Sequence, residues 1–482
     1  MKMKKLAAVF LSAVTVLAAS WAFAGQDHAE FVKGPFKTGS DVTKVCIECH
    51  EKQATDFMKT THWTWAGTPN HVKGMEKSTK LYGKSNMINA FCTSIQGGGK
   101  EGVVHEACSK CHAGYGWTRT KFDFTDKTKV DCLICHAQKG NYTRAAAGAD
   151  VDTKAMAKGS MNLELAAQSV GLPTRKNCGA CHFYGGGADA VKHAGLDSTM
   201  EKPKKSQDVH MGTKESGGQD MACQTCHVTK DHKIGGASSM MAHYDTRVTC
   251  EQCHTGAKAP HQKSRNGAIL NKHLATIACQ TCHIPVFAKG QATKMSWKWS
   301  DVGKDIKPEE QFDKETFIKM KGSFTWGMNV KPVYAWSNGM IYRYMVGDKI
   351  KDPSKPVMIS HPVGNIKDKT AKIYPYKLYK GNQPMDAKYK YLSIFQQYKS
   401  LWVDYNWDKA CRLGAEGCGM PYSGKIQFVN TETWISAQHE VSPKEEALQC
   451  GECHMGGNRM DWKALGYKGD PMRVGGRFDK KK

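Results

Sequence analysis

Apolar residues gather in one early run and are scattered thereafter. Residues 6–20, LAAVFLSAVTVLAAS, follow the basic start MKMKK and precede the small-x-small triplet Ala22-Phe23-Ala24. This pattern predicts a secretory signal peptide over 1–24, removed to leave Gly25 as the first residue. The run falls short of the roughly 20 apolar residues that a membrane span needs, and no later stretch approaches that length. The mature chain is expected to be soluble, exported and periplasmic. Beyond residue 24 there is no strict repeat and no long alternation of period two. Residues 386–412, DAKYKYLSIFQQYKSLWVDYNWDKACR, carry aromatic and apolar side chains at mixed three- and four-residue steps, which predicts a helix. Pro443, in PKEEALQCGECH, is placed to start another. Gly- and Lys-rich pieces at 97–102 and 213–219 predict loops. The expected fold is mainly α with many loops.

Nineteen cysteines in an exported chain would ordinarily mean disulfides, but their spacing points elsewhere. Sixteen fall in eight C-x-x-C-H motifs. These are CIECH (Cys46, Cys49, His50), CSKCH (Cys108, Cys111, His112), CLICH (Cys132, Cys135, His136) and CGACH (Cys178, Cys181, His182). The remainder are CQTCH (Cys223, Cys226, His227), CEQCH (Cys250, Cys253, His254), CQTCH (Cys279, Cys282, His283) and CGECH (Cys450, Cys453, His454). This is the c-type haem attachment signature: two thiols bind the haem vinyl groups and the histidine is the proximal iron ligand. Eight covalent haems c are expected. Seven motifs fill 25–283, and 284–482 is expected to be a largely helical, haem-poor region carrying the eighth.

The haems change how the composition reads. Hydrophobic content is only 40% and mean hydropathy is −0.54, low for a chain of 482 residues. With fewer than 60 residues per motif, the macrocycles themselves supply much of the apolar core. The formal charge of +24 falls to +21 without Lys2, Lys4 and Lys5, and each ferric haem with its two propionates removes about one more, leaving about +13. Aromatic residues are not interleaved with basic runs as in a nucleic-acid module, so no nucleic-acid partner is expected. The positive field suits small anions instead.

Twelve histidines remain outside the motifs. An electron-transfer haem takes two strong axial ligands, whereas a catalytic haem keeps one position open or easily vacated. Seven distal histidines would leave one haem for chemistry. By position relative to the motifs, the seven chosen are His62, His193, His210, His232, His261, His273 and His439. His71, His105, His243 and His361 are reserves, and His28, beside a fraying N-terminus, ranks last. Lys192 and His193 are adjacent, and their side chains diverge, so if both bind iron they serve different haems.

Several stretches, in this order, resemble the octahaem tetrathionate reductase family of exported multihaem cytochromes. They are GPFKTGSDVTKVCIECHEKQATDFMKTTHWTW (34–65), NAFC (89–92), CSKCHAGYGW (108–117), CHFYGGGADAVKH (181–193) and CQTCHIP (279–285). The resemblance implies a mainly helical fold around a packed haem array, and reduction of tetrathionate, nitrite or hydroxylamine. It also implies that the second haem, on Cys108, Cys111 and His112, is catalytic with Lys192 on its distal side. Asp189 would stand one helical turn before Lys192, and Asn89 and Cys92 would line the pocket. A lysine amine binds iron only when deprotonated, against an ordinary pKa of about 10.4, and is easier to displace than an imidazole fixed through its second nitrogen. Cys92 would suit attack on a sulfur–sulfur bond. Cys411 and Cys418, seven apart, are open to local pairing. The competing reading is a non-catalytic cytochrome that stores or passes electrons between periplasmic partners. A reductase would draw on a periplasmic or membrane-bound electron donor.

Overall fold

The computed structural model describes residues 28–83, 87–91, 108–117, 122–145, 150–234, 249–254 and 260–478. Helix α1 (Gly39–Phe57) begins at a capping box, in which the Thr38 hydroxyl accepts from Asp41 N and the Asp41 carboxylate accepts from Thr38 N. It carries the first motif and leaves helical geometry at His50. Helix α2 (Arg175–His182) starts the same way on Thr174 and Asn177 and ends on the fourth motif. The other motifs each close a single turn: Cys223–Cys226, Cys250–Cys253 and Cys450–Cys453 are four-residue helices, and Cys108–Cys111 is a 3-10 turn.

The fold is not mainly α. Residues 293–436 build a nine-stranded sheet from β1 (Thr293–Lys298), β2 (Phe317–Ile318), β3 (Gly322–Gly327), β4 (Val333–Ser337), β5 (Ile341–Arg343), β6 (Val357–Pro362), β7 (Lys372–Asp386), β8 (Tyr391–Leu392) and β9 (Ile426–Ser436). The main order is β5-β6-β9-β7-β1-β3-β2, with β4 and β8 also pairing β7. At its centre β7 and β9 run antiparallel from Tyr376↔Ser436 to Asp386↔Ile426. The expectation of a largely helical 284–482 is corrected accordingly. So is the helix over 386–412: β7 ends at Asp386, β8 follows, and helix returns only from Gln397, chiefly in α3 (Trp407–Gly417). After Pro443 there is one 3-10 turn, Lys444–Glu446.

The pattern failed at β7 and β9 because their buried faces are partly polar. Lys377, Gln383, Thr431 and Thr433 are all buried, and Pro375, Pro384 and Gly381 interrupt β7, where such residues ordinarily argue against an inner strand. The largest apolar cluster lies against this sheet, with Trp297, Trp299, Phe324, Tyr379 and Phe395 among its members. A smaller cluster, including Val32, Val42, Tyr115, Leu133 and Leu163, packs on α1. No helix among the described residues is long and apolar enough to cross a membrane. Cys411 is buried and Cys418 half-buried, both as free thiols on α3 and its C-terminal cap.

Candidate haem array and active site

Seven of the eight motif histidines face a second histidine. The ring centroids are 6.4 Å apart for His50–His28, 6.2 Å for His136–His232, 6.1 Å for His182–His62 and 6.5 Å for His227–His439. They are 6.1 Å apart for His254–His210, 6.4 Å for His283–His261 and 6.3 Å for His454–His273. A metal–imidazole bond of about 2.0 Å, with the ring centre about 1.1 Å behind the ligating nitrogen, would put two imidazoles facing each other across one metal about 6.2 Å apart. The rings are free to rotate about their common axis, so interplanar angles from 5° to 64° are compatible with one iron between each pair. These residues therefore fit seven haems with two imidazoles each. Ligating imidazole is neutral; burial suits this by pushing His182 down to about 3.

Six of the seven histidines expected on the distal side are in these pairs. The seventh is corrected: His28, not His193, stands opposite a motif ring. The N-terminal segment that carries it is tied down rather than frayed. Val32 is buried with Val42 and accepts from Gln168 through its carbonyl, and Gly34 N donates to Glu164. His193 is half-buried and lines the cavity, but no described motif imidazole pairs with it. The reserves His71 and His361 contact Tyr82 and Tyr342 instead, and His105 and His243 lie outside the described residues.

The eighth motif histidine differs. His112 is fully buried against Trp63, Trp65, Trp117 and Phe122, at ring separations from 4.4 to 5.6 Å. Among the described residues no imidazole faces it. Its Nε2 reaches Trp63 O at 2.6 Å, while Nδ1 is a buried nitrogen without a hydrogen-bond partner. Burial pushes it down to about 4, so it too is a neutral ring able to hold a metal. The Cys111 thiol of this motif meets Cys181 of the fourth.

Lys192 lines the same continuous cavity, of about 2920 Å³, as Cys111, Asn89 and Phe91. The segment before it is not helical. Gly186 and Gly187 take φ of +85° and +98°, and a Cβ on Gly186 would stand 2.8 Å from Val191 and 3.3 Å from Phe91, so glycine lets residues 89–91 and 191–193 converge. Asp189 does not stand one turn below Lys192. Its carboxylate accepts from Ser198 N at 3.0 Å, from the Ser198 hydroxyl and from Gln291 Nε2 at 2.8 Å, and it does not line the cavity. Asn89 does, with its Oδ1 capping Phe91 N at 2.9 Å. Cys92 lies outside the described residues.

The sheet holds both segments. Lys377 Nζ, on β7, donates to Val191 O at 3.0 Å, to Lys192 O and His193 O at 3.4 Å each, and to Thr293 Oγ1 at 2.6 Å. Farther along β7, Gln383 Nε2 donates to Asn89 O at 3.1 Å and the Phe91 and Tyr379 rings stand 4.4 Å apart. Two further buried cations line the cavity: Lys294, over the rings of Phe324, Trp297 and Trp326, and Arg343 on β5. Sequence reasoning missed Lys377, Lys294, Arg343 and Gln383, which lie in a stretch without motifs. The available signal was polar residues embedded in tyrosine- and tryptophan-rich segments.

A chain whose motif histidines pair off around covalent attachment turns is a multihaem c-type cytochrome. Residues 177–255 match the family described as cytochrome c554 and c-prime, and 294–457 match that described as cytochrome c bacterial. The solved structure of octaheme cytochrome c from Shewanella oneidensis is 44% identical, covers 93% of this chain and 98% of its own, and superposes with a TM-score of 0.82. An uncharacterized protein of Archaeoglobus fulgidus is 23% identical over 245 residues, 43% of this chain and 80% of that one. The chain belongs to the octahaem c-type cytochromes.

Proposed function

We propose that this octahaem cytochrome is an exported, periplasmic reductase of small substrates, tetrathionate, nitrite or hydroxylamine, working at its second motif. The observation that carries this reading is the asymmetry among the motif histidines: seven face an imidazole at iron-bridging distance, and His112 faces none among the described residues. Cys108, Cys111 and His112 would hold a haem whose chemistry would be electron delivery to the substrate.

The chain's own groups would do the rest. Lys192 would supply an amine that holds the site until an anion displaces it, and as an ammonium would donate protons to oxygen leaving as water. Asn89 offers an amide to orient the substrate, and Lys294 and Arg343 make the pocket cationic. The aromatic wall around His112 keeps water out. Reduction of nitrite to ammonium consumes six electrons and eight protons and releases two waters; tetrathionate takes two electrons to give two thiosulfates. Both need a periplasmic or membrane-bound donor, and the paired haems would hold the electrons. Cys92 would serve tetrathionate through thiol exchange.

The test is Lys192→Ala in the holoprotein. Eight haems should remain, one should change its spectrum in the oxidised state, and nitrite turnover should fall at least tenfold. Spectra and turnover equal to wild type, with eight bis-histidine signals in both, would make the protein an electron conduit.

A further inference from the structure

Three arginines of the described chain are buried, and two face carboxylates. Arg144 stands 3.7 Å from Asp131 and Arg175 2.9 Å from Asp220. Arg343 is the exception. It is 2% exposed, yet no described carboxylate lies within ion-pair distance. Nη2 donates to Ile88 O at 3.2 Å and the Tyr82 hydroxyl hydrogen-bonds with the guanidinium, but neither neutral partner offsets its charge. A guanidinium cannot shed its proton, and an isolated buried charge costs far more than a paired one. The fold bears this cost where the side chain lines the cavity.

The position is built. Strand β5 is stitched to the segment that carries Asn89: Ile88 N donates to Tyr344 O at 3.3 Å, and Met87 bridges Met345. Asn89, Lys192, Lys294 and Arg343 all line the one cavity, and Lys294 N donates to Ala190 O at 3.0 Å, two residues before Lys192. Arg343 thus projects from the strand beside Asn89, lining the cavity with no carboxylate among the described residues to pair with.

We propose that Arg343 is the oxyanion receptor of this pocket. It binds the terminal oxygens of nitrite, or of a sulfonate end of tetrathionate, through its guanidinium, and so holds the substrate by its charge before any electron moves. The proposal rests on the reductase reading for its substrates, but it stands apart in its chemistry. Hydroxylamine carries no negative charge and does not need Arg343.

The experiment uses holoprotein carrying Arg343→Gln, with Arg343→Lys beside it. Calorimetric titration of oxidised protein with sodium nitrite should show Kd raised roughly ten- to hundredfold in the glutamine variant, as expected for losing one or two charge-assisted hydrogen bonds. The lysine variant should fall between, because it keeps the charge and loses the planar fork. Nitrite KM should rise with Kd, while hydroxylamine KM stays within threefold. An unchanged nitrite Kd, or equal losses for nitrite and hydroxylamine, overturns the assignment. Wild-type protein that binds nitrite through Arg343 but reduces nothing overturns the reductase reading and leaves the receptor standing. If neither variant folds, phenylglyoxal treatment of wild-type protein decides: nitrite should slow modification of Arg343, and no protection there refutes the proposal.

Discussion

Replacing Lys377 by methionine isolates what the sheet does for the pocket. Lys377 is fully buried on β7, and its Nζ reaches three successive carbonyls, Val191, Lys192 and His193, together with the Thr293 hydroxyl. Methionine keeps the length and most of the volume, so no cavity opens, but it donates nothing. A buried carbonyl that loses its donor costs about 1–3 kcal/mol. The contact at 3.0 Å carries the full term, and the two at 3.4 Å carry about half of it each. Against this stands relief from burying an amine, whose burial holds its pKa well below the ordinary lysine value. The net expectation is a loss of about 2–4 kcal/mol, read by denaturant unfolding of the holoprotein. A purely structural role would stop there. If Lys377 fixes the backbone that aims Lys192, the variant also changes the oxidised spectrum of one haem and leaves seven as they were, and its nitrite turnover falls about tenfold or more. A destabilised variant with eight unaltered haems and wild-type turnover would show that the loop aims Lys192 without the sheet.

Three other substitutions test separate parts of the fold and the site. His28→Ala should keep eight haems and convert one low-spin signal to high spin, whereas His193→Ala should convert none; electron paramagnetic resonance of the oxidised proteins checks both, and the reverse outcome would restore the distal assignment of His193. Asp386, buried at the end of β7, accepts from Tyr389 N, Ser423 N and Lys388 N and from the Ser423 hydroxyl. Burial alone would raise its pKa, and these donors outweigh burial and hold it below the usual value. Its contribution is therefore present above the unfolded carboxyl pKa of about 3.9 and is lost as pH falls through the lower folded value. Asp386→Asn should flatten the decline of stability below about pH 4; an acid limb as steep as wild type would refute that role.

What the sequence made legible was covalent and local. Each C-x-x-C-H motif closes its own turn, so attachment sites and proximal ligands could be read from spacing alone. Six of the histidines expected on the distal side also stand opposite motif rings, but each faces a motif other than the one nearest in sequence. His62 follows the first motif and faces His182 of the fourth, and His232 follows the fifth and faces His136 of the third. A motif turn presents its imidazole to one face of the haem, and the opposing ligand must arrive from another part of the chain. Proximity in sequence therefore selects the wrong partner even when it selects the right residue. His28 was missed because a terminal position suggests fraying, while Val32 and Gly34 anchor it. The sheet was missed because its inner face was expected to be apolar. Lys377, Gln383 and Thr431 are buried there to bind backbone carbonyls and one another, and a pattern that counts them as polar sees no strand.

The motif thiols also meet in an order unlike their order along the chain. Cys46 of the first motif lies beside Cys132 of the third, and Cys135 of the third lies near Cys178 and Cys181 of the fourth. Cys178 lies beside Cys223 of the fifth, Cys226 of the fifth lies near Cys253 of the sixth, Cys250 lies beside Cys279 of the seventh, and Cys282 lies near Cys453 of the eighth. These contacts trace a continuous line through seven motifs, and the second motif joins it at the fourth through Cys111 and Cys181. A site on a branch can exchange its ligand without interrupting the line, because conduction between the ends does not pass through it. Under the proposed reductase reading it would also draw from both arms at once, which would suit nitrite, a substrate that takes six electrons before its product leaves. The motif lacking a described imidazole partner is thus the one whose loss of a fixed ligand costs the line least.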